Sequence, residues 1–76
     1  MITTKEIEAL GFVLNDQWGT TEEWIYDFDN CSLSVQFYDY GKRHTIHMYE
    51  QGYSCEIELK GEVTIERIKN LIKALQ

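Results

Sequence analysis

The most constraining feature of this sequence is the alternation of apolar and polar residues between positions 23 and 60, interrupted by three two-residue breaks. The breaks are Asp-Asn at 29–30, Gly-Lys at 41–42 and Gln-Gly at 51–52. Alternation is typical of strands with one buried face, and Asn and Gly suit the positive φ of primed hairpin turns. The pattern predicts a four-stranded antiparallel meander, with strands near 23–28, 31–40, 44–50 and 53–60.

Two-residue hairpin loops also predict which residues lie opposite one another. The first loop pairs Trp24 with Val35, the second pairs Val35 with Met48, and the third pairs Met48 with Cys55. A slip of one residue would send the apolar set of a whole strand to the other face. In this register every apolar residue of the four strands except Ile25 lies on one face, which we expect to cover the core.

Capped helices are predicted on both sides of the meander. Thr3 and Glu6 have the spacing of a capping box, and Gly11 suits a left-handed helix end, which together predict a helix near 3–10. Thr64 begins a second helix near 64–75, where apolar residues recur at helical spacing. Residues 12–18 add an edge strand of ambiguous facing. We therefore expect an α+β fold: a four- to five-stranded antiparallel meander with both helices on one face.

The chain length of 76 residues predicts a single domain, 1–76, with a small core. A chain of this size is close to zero net stability without a partner or a covalent link, so a homodimer is a reasonable expectation. Neither a secretory signal nor an apolar stretch of about 20 residues is visible, which predicts a cytoplasmic protein without membrane contact. Cys31 and Cys55 are expected to be free and buried, because the predicted sheet holds them too far apart for a disulfide.

The charge balance restricts the class of partner. Seven Lys and Arg residues against thirteen Asp and Glu residues give a net charge of −6. Because Lys and Arg contacts to phosphate supply most nucleic-acid affinity, direct binding of nucleic acid is not expected. An acidic surface is better suited to a basic protein.

The predicted sheet face that points away from the helices is the candidate binding site. Two short helices cannot cover both sides of a sheet, so we expect this face to be open, and Tyr is enriched at protein interfaces. An ordinary solvated sheet face with Tyr–Thr cross-strand pairs is the alternative interpretation. The candidate binding residues are Ile25, Tyr38, Tyr40, Arg43, His47, Tyr49 and Glu56.

No catalytic or metal site is predicted from these residues. His47 falls in one predicted row with Glu23, Gln36 and Glu56, but this row has no nucleophile and no oxyanion donor. One His and one adjacent carboxylate are fewer than the three protein ligands of a catalytic zinc. His44 is expected to form an ion pair with Asp39 at the sheet rim. We therefore expect a protein that is not an enzyme and carries no cofactor.

Over its whole length the chain resembles short uncharacterised proteins of phages and mobile elements. The resemblance lies in the opening helix TTKEIEALGF, the Tyr-rich meander and the closing helix GEVTIERIKNLIKAL. Those elements encode small acidic proteins that act by stoichiometric binding, including anti-CRISPR and other counter-defence inhibitors. The resemblance implies a protein-binding module, a phage-encoded inhibitor of a host defence protein that acts in the host cytoplasm.

A second class of function is also compatible with the sequence. It is an oligomer that binds or sequesters a small ligand such as a nucleotide, with tyrosines stacking on the base and Arg43 or Lys60 contacting phosphate. A single small sheet offers no deep pocket, so this alternative requires a second subunit.

Overall fold

The computed structural model describes residues 1–50 and 55–76. The predicted loop at 51–52 therefore lies outside the described residues. In chain order the elements are α1 (Thr4–Ala9), β1 (Val13–Trp18), β2 (Thr21–Asp27), β3 (Cys31–Tyr38), β4 (Arg43–Glu50), β5 (Glu56–Glu58) and α2 (Ile65–Leu75).

The strands form one antiparallel sheet in the order β1-β2-β3-β4-β5. Both helices contribute to the same core as the inward residues of the sheet, so the predicted α+β meander is confirmed. The buried apolar side chains of this core are Ile2, Ile7, Phe12, Trp24, Leu33, Val35, Phe37, Ile46, Ile68 and Ile72.

The ends of α1 follow the sequence pattern closely. The Thr3 side chain accepts a hydrogen bond from the Glu6 backbone N–H, and the Glu6 side chain accepts one from the Thr3 N–H. At the other end the Phe12 N–H donates to the Ile7 carbonyl, and Gly11 has a φ of 109°. This bond and the positive φ of Gly11 are those of a Schellman ending, which turns Phe12 back into the core beside Ile7.

The register is confirmed at the first hairpin and wrong at the second. Trp24 lies opposite Val35 as predicted, but Val35 lies opposite Ile46 instead of Met48. The loop contains four residues, 39–42, because Tyr38 already pairs with Arg43. A shift of two residues leaves every side chain on its predicted face, so the apolar pattern cannot distinguish the two registers.

The same two-residue shift recurs between β4 and β5, where Met48 lies opposite Ile57 instead of Cys55. Cys31 is half-buried and Cys55 is exposed, so the expectation that both are buried is wrong, although both are free. Glu50 on β4 lies between the two cysteines: it pairs with Cys31 on one side and donates its backbone N–H to the Cys55 carbonyl on the other. Two strand spacings amount to about 10 Å, which is too far for a disulfide.

His44 lies opposite Phe37 instead of forming the predicted ion pair with Asp39. The His44 and Phe37 rings meet edge to face, with their centroids 5.1 Å apart. The Nε2 atom of His44 is buried and has no hydrogen-bond partner among the described residues. The register shift accounts for the difference, because it moves Asp39 out of β3 and into the turn.

The predicted edge strand at 12–18 is present as β1. A bulge between Leu14 and Asp16 interrupts its pairing with β2. The bulge explains the ambiguous pattern, because an extra residue breaks strict alternation. Phe12 precedes the strand and is buried, whereas the side chains of β1 itself are exposed.

Candidate functional site

The candidate site is the sheet face opposite the helices, which we call the polar face. It is built from alternate residues of β2 to β5, whose partners on this face are fixed by the observed register. Its described residues are Thr21, Glu23, Ile25, Asp27, Ser32, Ser34, Gln36, Tyr38, Arg43, Thr45, His47, Tyr49, Glu56 and Glu58.

The Glu23 carboxylate lies at the centre of the polar face and accepts four side-chain hydrogen bonds. One oxygen accepts from Asn15 Nδ2 at 3.0 Å. The other accepts from Ser34 Oγ at 2.8 Å, Tyr49 OH at 2.9 Å and Gln36 Nε2 at 3.2 Å. These donors come from β1, β3 and β4, so a single buried carboxylate joins four neighbouring strands.

The hydrogen bonds decide the charge state of this carboxylate. Desolvation by burial acts to raise the pKa of Glu23, but the donors Ser34, Asn15, Tyr49 and Gln36 together outweigh it, so the pKa lies below its ordinary value. Burial and the adjacent Glu23 charge raise the pKa of the Tyr49 hydroxyl. At neutral pH the pair therefore consists of a carboxylate and a protonated tyrosine that donates to it.

A second chain of hydrogen bonds continues from Gln36 to the last strand. The Tyr38 hydroxyl donates to Gln36 Oε1, and Thr45 Oγ1 donates to the Tyr38 oxygen at 3.3 Å. Thr45 Oγ1 is also 2.9 Å from His47 Nε2, and His47 Nδ1 is 2.5 Å from Glu56 Oε2. With the bonds to Glu23, one connected network extends across all five strands.

His47 links β4 to β5 through its two ring nitrogens. Nε2 forms a hydrogen bond with Thr45 Oγ1, and which of the two atoms donates depends on the tautomer of the ring. On the other side of the ring, Nδ1 lies beside the Glu56 carboxylate. The ring is therefore held between Thr45 on its own strand and Glu56 on the last strand.

The expectation that the polar face is open is wrong at its centre. Ile25 is 6% exposed and His47 is 8% exposed, comparable to core residues. Tyr38 and Tyr49 are half-buried, whereas Glu56 and Glu58 at the β5 edge and Arg43 at the end of the sheet are exposed. The reason is that the polar side chains lie across the strands to reach one another instead of extending into solvent.

Two other candidate residues lie at the end of the sheet. Arg43 is exposed, and its guanidinium group lies 5.7 Å from the centre of the Tyr38 ring. Tyr40 is 82% exposed, but it belongs to the turn after β3 and borders a cavity of about 330 Å³ with Thr4 and Phe37. Six of the seven candidates thus share the polar face, and Tyr40 does not.

Sequence reasoning missed the central role of Glu23, Ser34 and Gln36. The predicted row placed Gln36 opposite His47, whereas His47 lies opposite Ser34 and reaches Glu56 diagonally. The sequence does contain a signal for this arrangement. On one face of the predicted sheet, the Glu23 carboxylate has the amide of Gln36 and the hydroxyl of Ser34 on the neighbouring strand. Amide and hydroxyl donors can stabilise the charge of a buried carboxylate by hydrogen bonds, so no Lys or Arg is needed beside it.

The chemical groups that this face offers are hydrogen-bond donors and acceptors, together with the exposed carboxylates of Glu56 and Glu58. Within residues 1–50 and 55–76, no group of three or more His, Cys, Asp or Glu side chains is arranged to hold a metal ion. The helices in this part of the chain are too short or too polar to cross a membrane. No family model, curated protein or solved structure matches this chain.

Proposed function

We propose that this protein is a small acidic binding module that recognises another protein through the polar face by stoichiometric contact. The observation that supports the proposal is the network centred on Glu23, which connects Asn15 on β1 to Glu56 on β5. A network of this kind holds the surface side chains in one arrangement before a partner arrives.

Fixed side chains favour binding because association must otherwise supply the entropy of ordering them, about 0.5–1.5 kcal/mol for each rotamer-rich side chain. Tyr38 is fixed by Gln36 and Thr45, and the Arg43 guanidinium lies beside its ring. Tyr49 is fixed by Glu23. The two half-buried tyrosines are therefore suited to act as anchors of an interface.

The charge of the surface favours a basic partner. The net charge is −6, and the β5 side of the polar face ends in the exposed carboxylates of Glu56 and Glu58. Complementary potentials increase association rates and select partners. Together with the resemblance to small phage proteins, this charge extends the proposal to an inhibitor that covers a basic surface of a host defence protein.

Affinity capture with matched charge variants tests the proposal. Immobilised wild-type protein, Glu58→Lys and Glu66→Lys are incubated with a lysate of the natural host cells, and captured proteins are quantified by mass spectrometry. Both substitutions reverse one exposed negative charge, but Glu58 lies on the polar face and Glu66 lies on α2. We expect a basic partner that is lost with Glu58→Lys and kept with Glu66→Lys.

Calorimetry with the purified partner then gives the stoichiometry and the affinity. Equal loss of binding in both variants would indicate that only net charge matters, and equal retention would move the interface away from this face. A nucleotide retained in native mass spectrometry of the purified protein, with no captured protein, would support the small-ligand alternative instead.

A further inference from the structure

Strand β1 is an edge strand whose protection against pairing is limited to the bulge at Asn15 and the charge of Asp16. All six of its residues are exposed, and three of them are the large apolar side chains Val13, Leu14 and Trp18. The strand contains no Lys, Arg or Pro and only one charge, that of Asp16. An exposed apolar edge strand of this length is a template for pairing with another strand.

The opposite edge of the same sheet is more strongly protected than β1. Strand β5 has three residues, Glu56, Ile57 and Glu58, so two of its three side chains are carboxylates. Short length and charge both discourage edge pairing. The contrast shows that the capacity for pairing is specific to β1.

We infer that β1 pairs with β1 of a second copy of this chain, antiparallel and about a two-fold axis. An antiparallel pairing centred on the strand places Val13 opposite Trp18 of the second copy, and Asn15 opposite its Asp16. Apolar side chains then meet each other, and the single carboxylate meets an amide instead of another carboxylate. The strand is therefore self-complementary, as an isologous interface requires.

The charges also disfavour the head-to-tail arrangement. Pairing β1 of one copy with β5 of the next would bring Asp16 toward Glu56 and Glu58, and like charges directly opposite each other are destabilising. Such contacts would also continue into an open filament. The two-fold arrangement closes after two copies.

The bulge at Asn15 is compatible with this pairing. Bulges twist an edge strand, but the Asn15 side chain is held by Glu23, which fixes the shape of the strand. The two bulges of a symmetric pair lie beside each other at the axis, so both strands bend in the same way. Residues on either side of the bulge, Val13 and Trp18 among them, remain available for contact.

The result is a continuous ten-stranded sheet built from two five-stranded ones. Paired residues of antiparallel strands lie on the same side of a sheet, so both polar faces point in one direction. A dimer would present two copies of the proposed binding site side by side. The dimer itself does not rest on the proposed function, because β1 pairing uses neither Tyr38 nor Tyr49.

Sedimentation velocity over a range of protein concentrations tests the inference with a matched pair of variants. Trp18→Lys changes the β1 edge, and Ile57→Lys changes the β5 edge; the two native side chains are each 47% exposed. We expect wild type and Ile57→Lys to reach twice the chain mass of 9.0 kDa. Trp18→Lys should weaken dimerisation by about tenfold or more, as expected for an aromatic interface anchor.

Amide hydrogen exchange in wild type provides a second measurement that needs no variant. Residues 13–18 should exchange more slowly at high protein concentration than at low concentration, while 56–58 should not change. Circular dichroism confirms that each variant is folded, and Val13→Lys replaces Trp18→Lys if the latter unfolds. A wild-type protein that stays monomeric at every concentration overturns the inference, as does a dimer weakened by Ile57→Lys but not by either β1 variant.

Discussion

The Tyr49 hydroxyl donates a 2.9 Å hydrogen bond to Glu23 across 26 residues of sequence and across strand β3. The bond joins β4 to β2, which are not neighbours in the sheet. Ser34 on the intervening strand is fully buried and donates to the same carboxylate oxygen. One buried acid thus holds a hydrogen-bonded layer on the side of the sheet opposite the apolar core.

The first prediction concerns the bond between Tyr49 and Glu23. Tyr49→Phe should lower the free energy of unfolding by about 1–2 kcal/mol, because a buried carboxylate loses one donor. Chemical denaturation measures the change, and Tyr40→Phe is the control because Tyr40 is largely exposed. Equal stability of the two variants would show that the Tyr49 bond contributes nothing.

The second prediction concerns the pH dependence due to Glu23. The pKa of Glu23 is lower in the folded protein than its ordinary value, so its contribution to stability is present above the ordinary pKa of about 4.3 and is lost as the pH falls through the folded pKa. Glu23→Gln should therefore be less stable than wild type at neutral pH, by about 1–3 kcal/mol. The difference should shrink in acid.

Denaturation of wild type and Glu23→Gln at a series of pH values measures this difference. Glu8→Gln is a suitable comparison, because Glu8 is exposed on α1 and is not an acceptor for the four donors around Glu23. A difference between wild type and Glu23→Gln that stays constant down to the most acidic pH would contradict a charged Glu23 in the folded state.

The third prediction concerns His44, whose Nε2 is buried beside Phe37. Burial lowers the pKa of His44, the Gly41 backbone opposes this, and the N-terminal charge adds to the lowering. Because the folded pKa is below the unfolded one, stability is full above about pH 6.5 and falls as the pH decreases through that value. His44→Phe should reduce this dependence.

Thermal unfolding between about pH 5 and pH 8 measures the effect within the range where His titrates. The melting temperature of wild type should decrease more steeply with falling pH than that of His44→Phe. Parallel curves for the two proteins would show that protonation of His44 does not oppose folding.

The fourth prediction compares two glycines that both have positive φ. Gly11 has a φ of 109° and a Cβ added there would lie 3.0 Å from the Tyr26 ring, whereas Gly19 has a φ of 58° and no atom within 4 Å of an added Cβ. Gly19→Ala should cost about 1–2 kcal/mol for the left-handed backbone. Gly11→Ala should cost more, because the Tyr26 ring must also move.

Urea denaturation of both variants gives the two costs under the same conditions. A smaller loss of stability for Gly11→Ala than for Gly19→Ala would contradict the close contact between the end of α1 and the Tyr26 ring.

The fold followed from local patterns that have a single physical interpretation. Thr3 with Glu6 can form a capping box, and alternation from Trp24 to Val35 can be satisfied by one hairpin. The register after β3 could not be predicted, because Val35 faces the core equally well opposite Ile46 or Met48. The choice depends on the turn, where Asp39 and Tyr40 adopt positive φ and the Tyr40 N–H donates to the Thr20 carbonyl. That bond joins the turn between β1 and β2 to the turn between β3 and β4, and no local sequence pattern predicts it.

The candidate site was predicted as a set of residues on one face, but not as a network. Alternation correctly placed Tyr38, His47 and Tyr49 on the same side of the sheet. Burial of His47 depends on side chains that cross between strands, and these crossings depend on the two-residue shift of register. The shift at the second hairpin therefore changed the β4 neighbours of the polar residues of β3, and the separate shift at the last hairpin changed the β5 neighbours of those of β4.

The central claim, that the polar face binds another protein, is tested most directly by hydroxyl-radical footprinting of the protein alone and in the purified complex with its captured partner. Tyr38 and Tyr49 should become protected in the complex, while Tyr26, which packs against the core on the helix side, should be modified to the same extent in both. Protection confined to the helices or to β1, with Tyr38 and Tyr49 modified equally in the free and bound protein, would contradict the claim.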